Sequence, residues 1–473
     1  MDIFEKLIAF EDKYSEDLMA WSHNGIHFWP CIRTSVFVSI EQKYLCNLNN
    51  NSYNESSKRL KLLSEIIKNS TKLSKNPYIH MPKAKIVYLN SAITRVLEVN
   101  MKKFDRISDY FADESKNSSL TMEDNYLGRH NTPEYTSSIK YTDSVFLIAK
   151  LKQRFIKNKI LFNDIAVFID SLKQKLIEQF ENSINVESVI SNAFRSIITS
   201  VAMAMEMHKL IIKTGCKFVS IEDCCYGGYK SILAMLLKMD GIKVIEIQHG
   251  LVSKKHIAYN FGRTPEIYLK YLPDYFFTYG EYWSEVLIRL PVKKVVVGSP
   301  YLAEQVKVYN ESNGRQSKGK RVLVVSQTTA TDKFVAITKE LRRLITADYS
   351  ITFRLHPSEV QFRAERCSGI ENVLGIEINQ EGGIYDCISK HDFIVGESST
   401  TLFEAIPFKK TIFIMDTYDS RAHMPINIGF WFNSVEDLTN MILSNYKNEN
   451  IDPSYYWTLS WQKNFNNFFQ TKI

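Results

Sequence analysis

From residue 216 onwards, short runs of apolar and β-branched residues alternate with stretches in which apolar residues recur every three or four positions. The short runs are typical of buried strands, and the longer spacing is typical of helices. Strands that alternate with helices predict parallel βαβ units. The strands predicted in this first series are residues 217–221, 243–247, 274–278 and 294–297, with a helix at 229–239 after the first of them.

A polar, glycine-containing stretch at residues 303–320 interrupts the alternation and is interpreted as a linker. A second series follows it, with strands predicted at residues 321–325, 350–355, 373–378, 392–395 and 411–415. The pattern therefore predicts an α/β protein with two Rossmann-like, doubly wound parallel sheets that face a cleft, because ligands bind at the carboxyl ends of such strands. The predicted domains are residues 1–302, with helical additions, and 321–450, followed by an aromatic helix at 451–473.

The first 215 residues are less regular. Strands are predicted at residues 85–90 and 119–123, and residues 140–215 are expected to be mostly helical. The most apolar part, residues 197–212, is interrupted by Glu206, His208 and Lys209, so it is predicted to be a buried helix and not a membrane span.

Composition narrows the classes of function. A chain of 473 residues with 45% hydrophobic residues is long and apolar enough for two cores. Its net charge of +7 fits an anionic substrate or a membrane surface, but no dense basic tract predicts nucleic-acid binding. Seven irregularly spaced cysteines argue against a disulfide framework. We expect a cytoplasmic protein, with peripheral association at the inner face of the cytoplasmic membrane left open.

Hydroxyl residues cluster after the predicted strand 392–395, in the sequence Gly396-Glu397-Ser398-Ser399-Thr400-Thr401. One hydroxyl is enough to cap a helix, whereas the free N–H groups of a helix start also bind phosphate. Four hydroxyls in a row exceed the need of a cap, so phosphate binding is favoured. Glu404, one turn further, is a candidate acceptor for ribose hydroxyls, with a surface glutamate as the alternative.

A second motif, Arg354-Leu355-His356-Pro357, ends the predicted strand 350–355. Alternation places Arg354 and His356 on one side of the strand, and a cation beside an imidazole suits a phosphate leaving group. The alternative is a histidine that a backbone carbonyl satisfies. Gln327 and Thr328, after strand 321–325, complete the predicted donor site.

Two motifs in the first domain are candidates for acceptor binding and proton transfer. Gln248-His249-Gly250 ends one predicted strand, and Gly250 permits a tight turn or close approach of a ligand. Glu222-Asp223 ends another strand, where a carboxylate can deprotonate a hydroxyl or can simply cap the next helix. The general base is therefore one of Glu222, Asp223 and His249.

The chain has no phosphate-binding P-loop, no G-x-G-x-x-G fingerprint and no H-E-x-x-H zinc motif. An Asp-x-Asp motif of the kind found in metal-dependent sugar transferases is also missing. Neither a metal nor another cofactor is required by the sequence.

The pairs His356-Pro357 and Ser398-Ser399 resemble the HP and SS motifs of bacterial sialyltransferases, polysialyltransferases and capsule Kdo transferases, which have the GT-B fold. The resemblance implies that these residues, with His356 as a catalytic candidate, hold a donor nucleotide, commonly cytidine monophosphate. Glu222-Asp223 is similar to the acidic motif that supplies the base, although Cys224 replaces the glycine expected next.

The motifs His249-Gly250, Arg354-x-His356-Pro357 and Ser398-Ser399 are also similar to those of teichoic-acid polymerases, which transfer a polyol phosphate from a cytidine diphosphate donor. We therefore expect an inverting, metal-independent glycosyltransferase that moves a sugar, of sialic acid or Kdo type, to a capsule, lipopolysaccharide or lipid-linked glycan. Three alternatives stay open: a polyol-phosphate transferase, a nucleotide-sugar 2-epimerase, and a non-catalytic nucleotide- or glycan-binding subunit.

Overall fold

The computed structural model describes residues 2–46, 56–115, 118–155, 159–180, 184–312, 320–327, 330–380, 382–448 and 451–471. Contacts between Cα atoms divide the chain into two compact units. Unit 1 comprises Met1–His249, Lys255–Thr278 and Leu287–Val295, and unit 2 comprises Gly250–Lys254, Tyr279–Val286 and Val296–Ile473.

Unit 1 combines many helices with one large sheet. Its helices are α1 (Ile3–Met19), α2 (Trp29–Cys46), α3 (Ser56–Ser70), α4 (Asp109–Glu114), α5 (Asp143–Phe155), α6 (Lys159–Phe180), α7 (Val186–Ile190), α8 (Ala193–Thr214) and α9 (Gly228–Met239). Its strands are β1 (Ser22–His23), β2 (Ile26–His27), β3 (Ile86–Ser91), β4 (Leu97–Val99), β5 (Lys102–Phe104), β6 (Ser119–Asp124), β7 (Ile139–Tyr141), β8 (Phe218–Ile221), β9 (Lys243–Ile247), β10 (Tyr275–Thr278) and β11 (Lys293–Val296).

Seven of these strands form a sheet in the order β11-β10-β9-β8-β3-β6-β7. The chain starts at β3, builds outwards through β6 and β7, and then returns to the other side of β3 with β8. Strand β3 pairs in parallel with both β6 and β8, so the direction of building changes between β3 and β8. Such a switch point opens a crevice at the carboxyl ends of the two strands, after Ser91 and Ile221.

Unit 2 is a second α/β unit. Its helices are α10 (Glu281–Val286), α11 (Pro300–Glu311), α12 (Thr331–Leu344), α13 (Arg363–Arg366), α14 (Ile384–Lys390), α15 (Thr400–Glu404), α16 (Tyr418–His423), α17 (Val435–Leu443), α18 (Pro453–Tyr456) and α19 (Trp461–Gln470). Its strands are β12 (Arg321–Val325), β13 (Ser350–Arg354), β14 (Ile376–Asn379), β15 (Phe393–Gly396), β16 (Thr411–Met415) and β17 (Phe430–Phe432).

These six strands pair in parallel in the order β14-β13-β12-β15-β16-β17. The switch point lies between β12 and β15, after Val325 and Gly396. Helices α12 and α17 pack against the sheet through fully buried apolar residues such as Phe334, Leu341 and Leu438. The near-continuous apolar strands of the sequence follow from burial on both faces of a parallel sheet.

The predicted fold class, an α/β protein with two Rossmann-like doubly wound parallel sheets, is confirmed. The predicted strands all form, but β14 starts at Ile376 instead of residue 373, because Gly375 adopts a positive φ of 85° immediately before it. The sequence analysis missed β7 and β17, which have three residues each and leave too short a pattern to recognise.

The predicted linker, residues 303–320, is helical at its start, because α11 continues to Glu311, and residues 313–319 lie outside the described residues. The aromatic tail forms two helices, α18 and α19, instead of one. Trp457, between them, stacks on Tyr279 at 4.8 Å between ring centroids and donates to the carbonyl of Phe403 at 2.8 Å. The tail is thus a packed part of unit 2.

One helical stretch, Val186–Thr214, is long and apolar enough to cross a membrane by length and composition. It comprises α7 and α8, and half of its most apolar window is buried inside the protein. A core helix passes the same test, and the predicted burial of residues such as Ile197 and Leu210 is confirmed.

Candidate functional site

Asp223 follows β8 at the switch point of unit 1 in a left-handed backbone conformation, with φ 58° and ψ 32°. A residue other than glycine rarely adopts this conformation, although aspartate tolerates it better than most. Asp223 occupies the cap position of the next 3₁₀ turn, but its side chain makes no capping hydrogen bond. Its carboxylate instead lies 3.3 Å from Nε2 of His249 and 3.8 Å from Nζ of Lys230. The alternative of a capping aspartate is therefore wrong.

Glu222, the residue before it, points into the protein. Its side chain accepts a hydrogen bond from the backbone N–H of Ser91 at 2.6 Å and so ties the end of β8 to the end of β3. Burial raises the pKa of Glu222 well above its ordinary value, against the attraction of Lys230. A buried carboxyl group with a raised pKa favours its protonated form. Glu222 is therefore poorly suited to accept a proton from a substrate.

His249 follows β9, the neighbour of β8 in the sheet. Burial lowers the pKa of His249, the charges of Arg106 and Lys230 add to the decrease, and Asp223 opposes it. The guanidinium of Arg106 donates to the His249 carbonyl oxygen at 3.1 Å. Nδ1 of His249 is buried and has no hydrogen-bond partner among the described residues. A neutral His249 ring can therefore donate from Nε2 to Asp223. The Asp223 side chain is 35% exposed and the His249 side chain 24%, so the carboxylate is the more accessible of the two.

The other two residues of this motif differ in their surroundings. Gln248 is fully buried, and its backbone N–H donates to the carbonyl of Phe277 at 2.9 Å, which continues the pairing of β9 and β10. Gly250 has no positive φ, and no described atom lies within 4 Å of the position that a Cβ would take. The backbone of this turn therefore does not need a glycine, whereas space for the predicted close approach of a ligand is present.

In unit 2, side chains from three connections meet at the switch point. These connections follow β12, β15 and β16, which are neighbours in the sheet. The amide of Gln327, after β12, donates to Oγ of Ser398 at 2.8 Å, and the Ser398 N–H donates back to Oε1 of Gln327 at 3.2 Å. The Ser398 hydroxyl also donates to Asp419, in the first turn of α16. The structure thus brings together the predicted residues Gln327 and Ser398, and it adds Asp419.

The remaining hydroxyl residues of this motif have separate tasks. Ser399 is the N-cap of α15 and accepts from the N–H of Thr401 at 3.2 Å, while Thr400 opens the helix. Glu404 is buried and accepts a hydrogen bond from the Tyr385 hydroxyl at 3.1 Å. The alternative of a surface glutamate is therefore wrong.

A cavity of about 520 Å³ adjoins the Gln327–Ser398–Asp419 cluster. Its charged lining residues are the carboxylates Asp332, Glu397 and Asp419 and the cations Lys333 and Arg366, and Arg366 pairs with Asp332 at 3.4 Å. Burial raises the pKa of Glu397, and a hydrogen bond from Thr417 opposes the rise. Its volume is that of a site for a nucleotide-sized ligand.

Arg354 and His356 are not among the described residues that line this cavity. Arg354 donates to the side chain of Asn379 and, at 2.8 Å, to the carbonyl of Gly382, beyond β14. His356 is exposed, and partial desolvation lowers the pKa of its imidazole. Pro357 opens a 3₁₀ helix, Pro357–Phe362. Thr328, also predicted for the donor site, lies outside the described residues.

The sequence analysis missed Asp419, Lys230, Arg106 and the buried Glu359. Glu359 accepts from the Thr331 hydroxyl at 2.7 Å and from the Ser326 hydroxyl at 3.2 Å, so it fixes the connection after β12. Asp419 had a recognisable signal, because Thr417 and Ser420 form a capping box directly after the predicted strand 411–415. Arg106 had none, since it follows the short strand β5, which the sequence analysis did not predict.

No family model matches the chain, and no curated protein matches its sequence. Several solved structures are similar to it. The UDP-GlcNAc 2-epimerase from Methanocaldococcus jannaschii, in complex with UDP-GlcNAc and UDP, is 12% identical with a TM-score of 0.45; the match covers 82% of this chain and 99% of that chain.

The UDP-GlcNAc 2-epimerase from Neisseria meningitidis, bound to UDP-GlcNAc, is 11% identical with a TM-score of 0.47 and the same two coverages, 82% and 99%. The lipopolysaccharide outer core galactosyltransferase WaaB, in its apo form, is 12% identical with a TM-score of 0.44, again over 82% and 99%. Likenesses as distant as these carry no argument about function.

Proposed function

We propose that the chain is a glycosyltransferase that transfers a sugar from a nucleotide donor to the hydroxyl of a glycan acceptor, with inversion and without a metal. The observation that carries the proposal is the Asp223–His249 pair at the switch point of unit 1. A carboxylate held outside its capping role, oriented by an imidazole and partly exposed, is the arrangement expected of a general base.

Asp223 takes the acceptor proton in this proposal. The acceptor oxygen attacks the anomeric carbon of the donor, the bond from that carbon to the nucleotide phosphate breaks, and the proton of the hydroxyl passes to Asp223. His249 is a positioning residue, because its ring donates to Asp223 at 3.3 Å. The ammonium group of Lys230 lies 3.8 Å from the Asp223 carboxylate.

The donor binds in unit 2, in the cavity beside Gln327, Ser398 and Asp419. Carboxylates such as Glu397 and Asp419 accept hydrogen bonds from the hydroxyls of ribose or sugar. The cations Lys333 and Arg366, which line the same cavity, offset the charge of the leaving phosphate. The Ser399 side chain caps α15. In this proposal, the donor therefore contacts Glu397 and Ser398 instead of Ser399.

The proposal retains cytidine monophosphate as the favoured leaving group, on the resemblance of His356-Pro357 and Ser398-Ser399 to the HP and SS motifs. His356 and Arg354 remain proposed ligands of the donor, although they are not among the described residues that line the cavity. The acceptor is a glycan of capsule or lipopolysaccharide type, and a cytoplasmic location with peripheral membrane contact follows from such a substrate.

The test is a donor panel with the full chain. Thermal shifts are measured with cytidine, uridine and guanosine nucleotides, because a ligand that binds the native state raises its stability. Nucleotide release is then measured with CMP-sialate, CMP-Kdo, CDP-glycerol and UDP-GlcNAc, each with and without glycan acceptors. We expect acceptor-dependent release of CMP from a CMP-sugar and not from CDP-glycerol, and a loss of this release in Asp223→Asn.

Other results would replace the proposal with one of the alternatives. Glycerol phosphate transfer from CDP-glycerol identifies a polyol-phosphate transferase. Conversion of UDP-GlcNAc without any acceptor identifies an epimerase. Nucleotide binding without turnover of any donor, unchanged in Asp223→Asn, identifies a binding subunit.

A further inference from the structure

A second cavity, of about 380 Å³, lies in unit 1 at the carboxyl ends of β6 and β7. Its walls come from α3, α5 and α8 and are mostly apolar, with Leu62, Ile66, Phe146 and Met203 among the lining side chains. Pockets of this volume with apolar walls and few polar groups are typical binding sites for small amphiphilic molecules.

One end of the cavity is polar. Asp124, the last residue of β6, accepts hydrogen bonds from the Tyr229 hydroxyl and from the Thr142 hydroxyl, each at 2.5 Å. Both partners also line the cavity, as does Asn125. A carboxylate has further acceptor capacity after two hydrogen bonds, so Asp124 is able to receive the hydroxyl of a ligand.

The polar end adjoins the proposed base. Tyr229 and Lys230 are successive residues in the first turn of α9. Tyr229 bonds Asp124 on the side of the cavity, whereas Lys230 lies 3.8 Å from Asp223. A molecule with its apolar part in the cavity therefore has its polar part beside Asp124 and Tyr229, and Tyr229 directly precedes the lysine that contacts the proposed base.

The mouth of the cavity carries an unusual apolar side chain. Leu127 lines the cavity but is 67% exposed, and it adopts a positive φ of 50° in the turn after β6. Turns with this conformation favour glycine, asparagine and aspartate, and core packing does not require a leucine at an exposed position. At the mouth of the cavity, this side chain offers an apolar surface that a bound apolar group would cover.

We propose that this cavity holds the apolar aglycone, an alkyl or acyl chain, of an amphiphilic glycoside that serves as acceptor. The proposal rests on the proposed function for the role of the ligand as an acceptor, but not for its binding. The sugar of the glycoside lies at the end marked by Asp124 and Tyr229, and the chain lies between Leu62, Phe146 and Leu127.

The test is isothermal titration of the full chain with methyl, hexyl and octyl β-glucoside, each below its critical micelle concentration. Each methylene transferred from water to an apolar site contributes about 0.8 kcal/mol, which corresponds to about a fourfold change in affinity. We therefore expect no measurable binding of the methyl glycoside, and octyl glycoside to bind about fifteenfold more tightly than hexyl glycoside, because it has two more methylenes.

Two variants separate this cavity from adventitious binding. Leu127→Asp places a charge at the mouth, and Met101→Asp makes the same change at a residue that is 82% exposed with φ 60° and does not line the cavity. We expect Leu127→Asp to weaken octyl glucoside at least tenfold and Met101→Asp to leave it unchanged. A second pair on α8 fills the cavity with Thr199→Phe and uses the exposed Met205→Phe as control.

Equal affinity for the methyl and octyl glycosides, or equal weakening by both members of each pair, overturns the proposal. Nucleotide thermal shifts are measured on the same proteins and are expected to be unaffected by all four variants. If octyl glucoside fails to bind while acceptor-dependent nucleotide release persists, the cavity proposal falls alone. If release fails while chain-length-dependent binding persists, the proposed function falls alone.

Discussion

His249 Nε2 lies 3.3 Å from Oδ1 of Asp223, although the two residues follow different strands, β9 and β8. The pair forms because parallel neighbours end at the same edge of a sheet. In its left-handed conformation, Asp223 makes no capping hydrogen bond to the 3₁₀ turn that follows it. Neighbouring Glu222 turns inwards and binds the Ser91 N–H. Two adjacent carboxylates thus have different environments, which is how sites separate acid, base and structural roles.

The first prediction concerns this difference. Asp223→Asn removes the proposed base and is expected to lower kcat by about 10²–10⁴-fold, the usual contribution of general base catalysis. Glu222→Gln keeps an oxygen for the Ser91 N–H and is expected to retain kcat within a few fold. The measurement is nucleotide release under saturating donor and acceptor, with urea unfolding as a check on stability.

The matched pair also decides against the alternative assignment. A large loss in Glu222→Gln together with an active Asp223→Asn would make Glu222 the base. His249→Gln, which keeps an N–H donor towards Asp223, is expected to retain more activity than His249→Ala. Equal loss in both histidine variants would show that the ring transfers the proton itself.

A second prediction concerns the donor site. Asp419→Ala leaves the Ser398 hydroxyl without its carboxylate acceptor and removes one proposed ligand of the donor hydroxyls. We expect the donor KM to rise about tenfold or more, since lost hydrogen bonds to a charged group are worth about 1.5–3 kcal/mol, while kcat changes less. Steady-state kinetics with varied donor measure the effect.

Asp416→Ala is the matched control, because Asp416 pairs with Arg421 at the surface of the same connection. An exposed ion pair contributes little, so this variant is expected to leave the donor KM unchanged. If Asp419→Ala and Asp416→Ala behave alike, Asp419 has no role in donor binding.

The fold was predictable because its strands are buried on both faces. Runs such as residues 322–325 and 412–415 are continuously apolar, and a parallel sheet is the usual environment for them. The hairpin β4–β5 and strand β17 are short and partly exposed, so they lack such a pattern. The predicted cleft between the two domains stays a prediction.

The site was predictable only as far as side chains follow strand ends. Glu222, Asp223 and His249 were identified in this way, but their roles depend on backbone conformation and burial, which the spacing of residues does not reveal. Arg354 also follows a strand end, yet its guanidinium contacts Asn379 and Gly382. Asp419 reaches Ser398 only because β15 and β16 are neighbours in the sheet.

A third prediction concerns the turn that carries Asp223 into α9. Gly227 has φ 88° and ψ −136°, and a Cβ there would lie 2.7 Å from the carbonyl oxygen of Pro30. Gly227→Ala is expected to lower the free energy of unfolding by about 3 kcal/mol, since backbone strain of about 1–3 kcal/mol and a steric contact act together.

Gly241→Ala is the control for backbone strain alone. Gly241 has φ 77°, and no described atom lies within 4 Å of its Cβ position. We expect this variant to lose about 1–2 kcal/mol, the usual penalty of a left-handed residue. Urea unfolding of both proteins measures the difference, and equal losses would mean that α2 yields to the added methyl group.

The last prediction concerns pH and the buried Glu246, in β9. Burial raises the pKa of Glu246 to about 7, and hydrogen bonds from the backbone N–H of Cys225 and the hydroxyl of Tyr259 oppose the rise. The unfolded chain has an ordinary glutamate with a pKa near 4.3. Because the folded state holds the proton more tightly, stability falls as pH rises from about 4.5 to about 7 and then stays low.

Glu246→Gln cannot ionise, and its amide reproduces the protonated acid: the oxygen accepts from the Cys225 N–H, and the NH₂ group donates to the Tyr259 oxygen. We expect the variant to exceed the wild type by about 1 kcal/mol at pH 5 and by about 4 kcal/mol at pH 8, since the pKa of Glu246 rises from about 4.3 to about 7 on folding and each pKa unit corresponds to about 1.4 kcal/mol. Urea unfolding at both pH values measures this. A constant difference between the two proteins at pH 5 and pH 8 would contradict the raised pKa, because only a proton lost between these values makes the difference depend on pH.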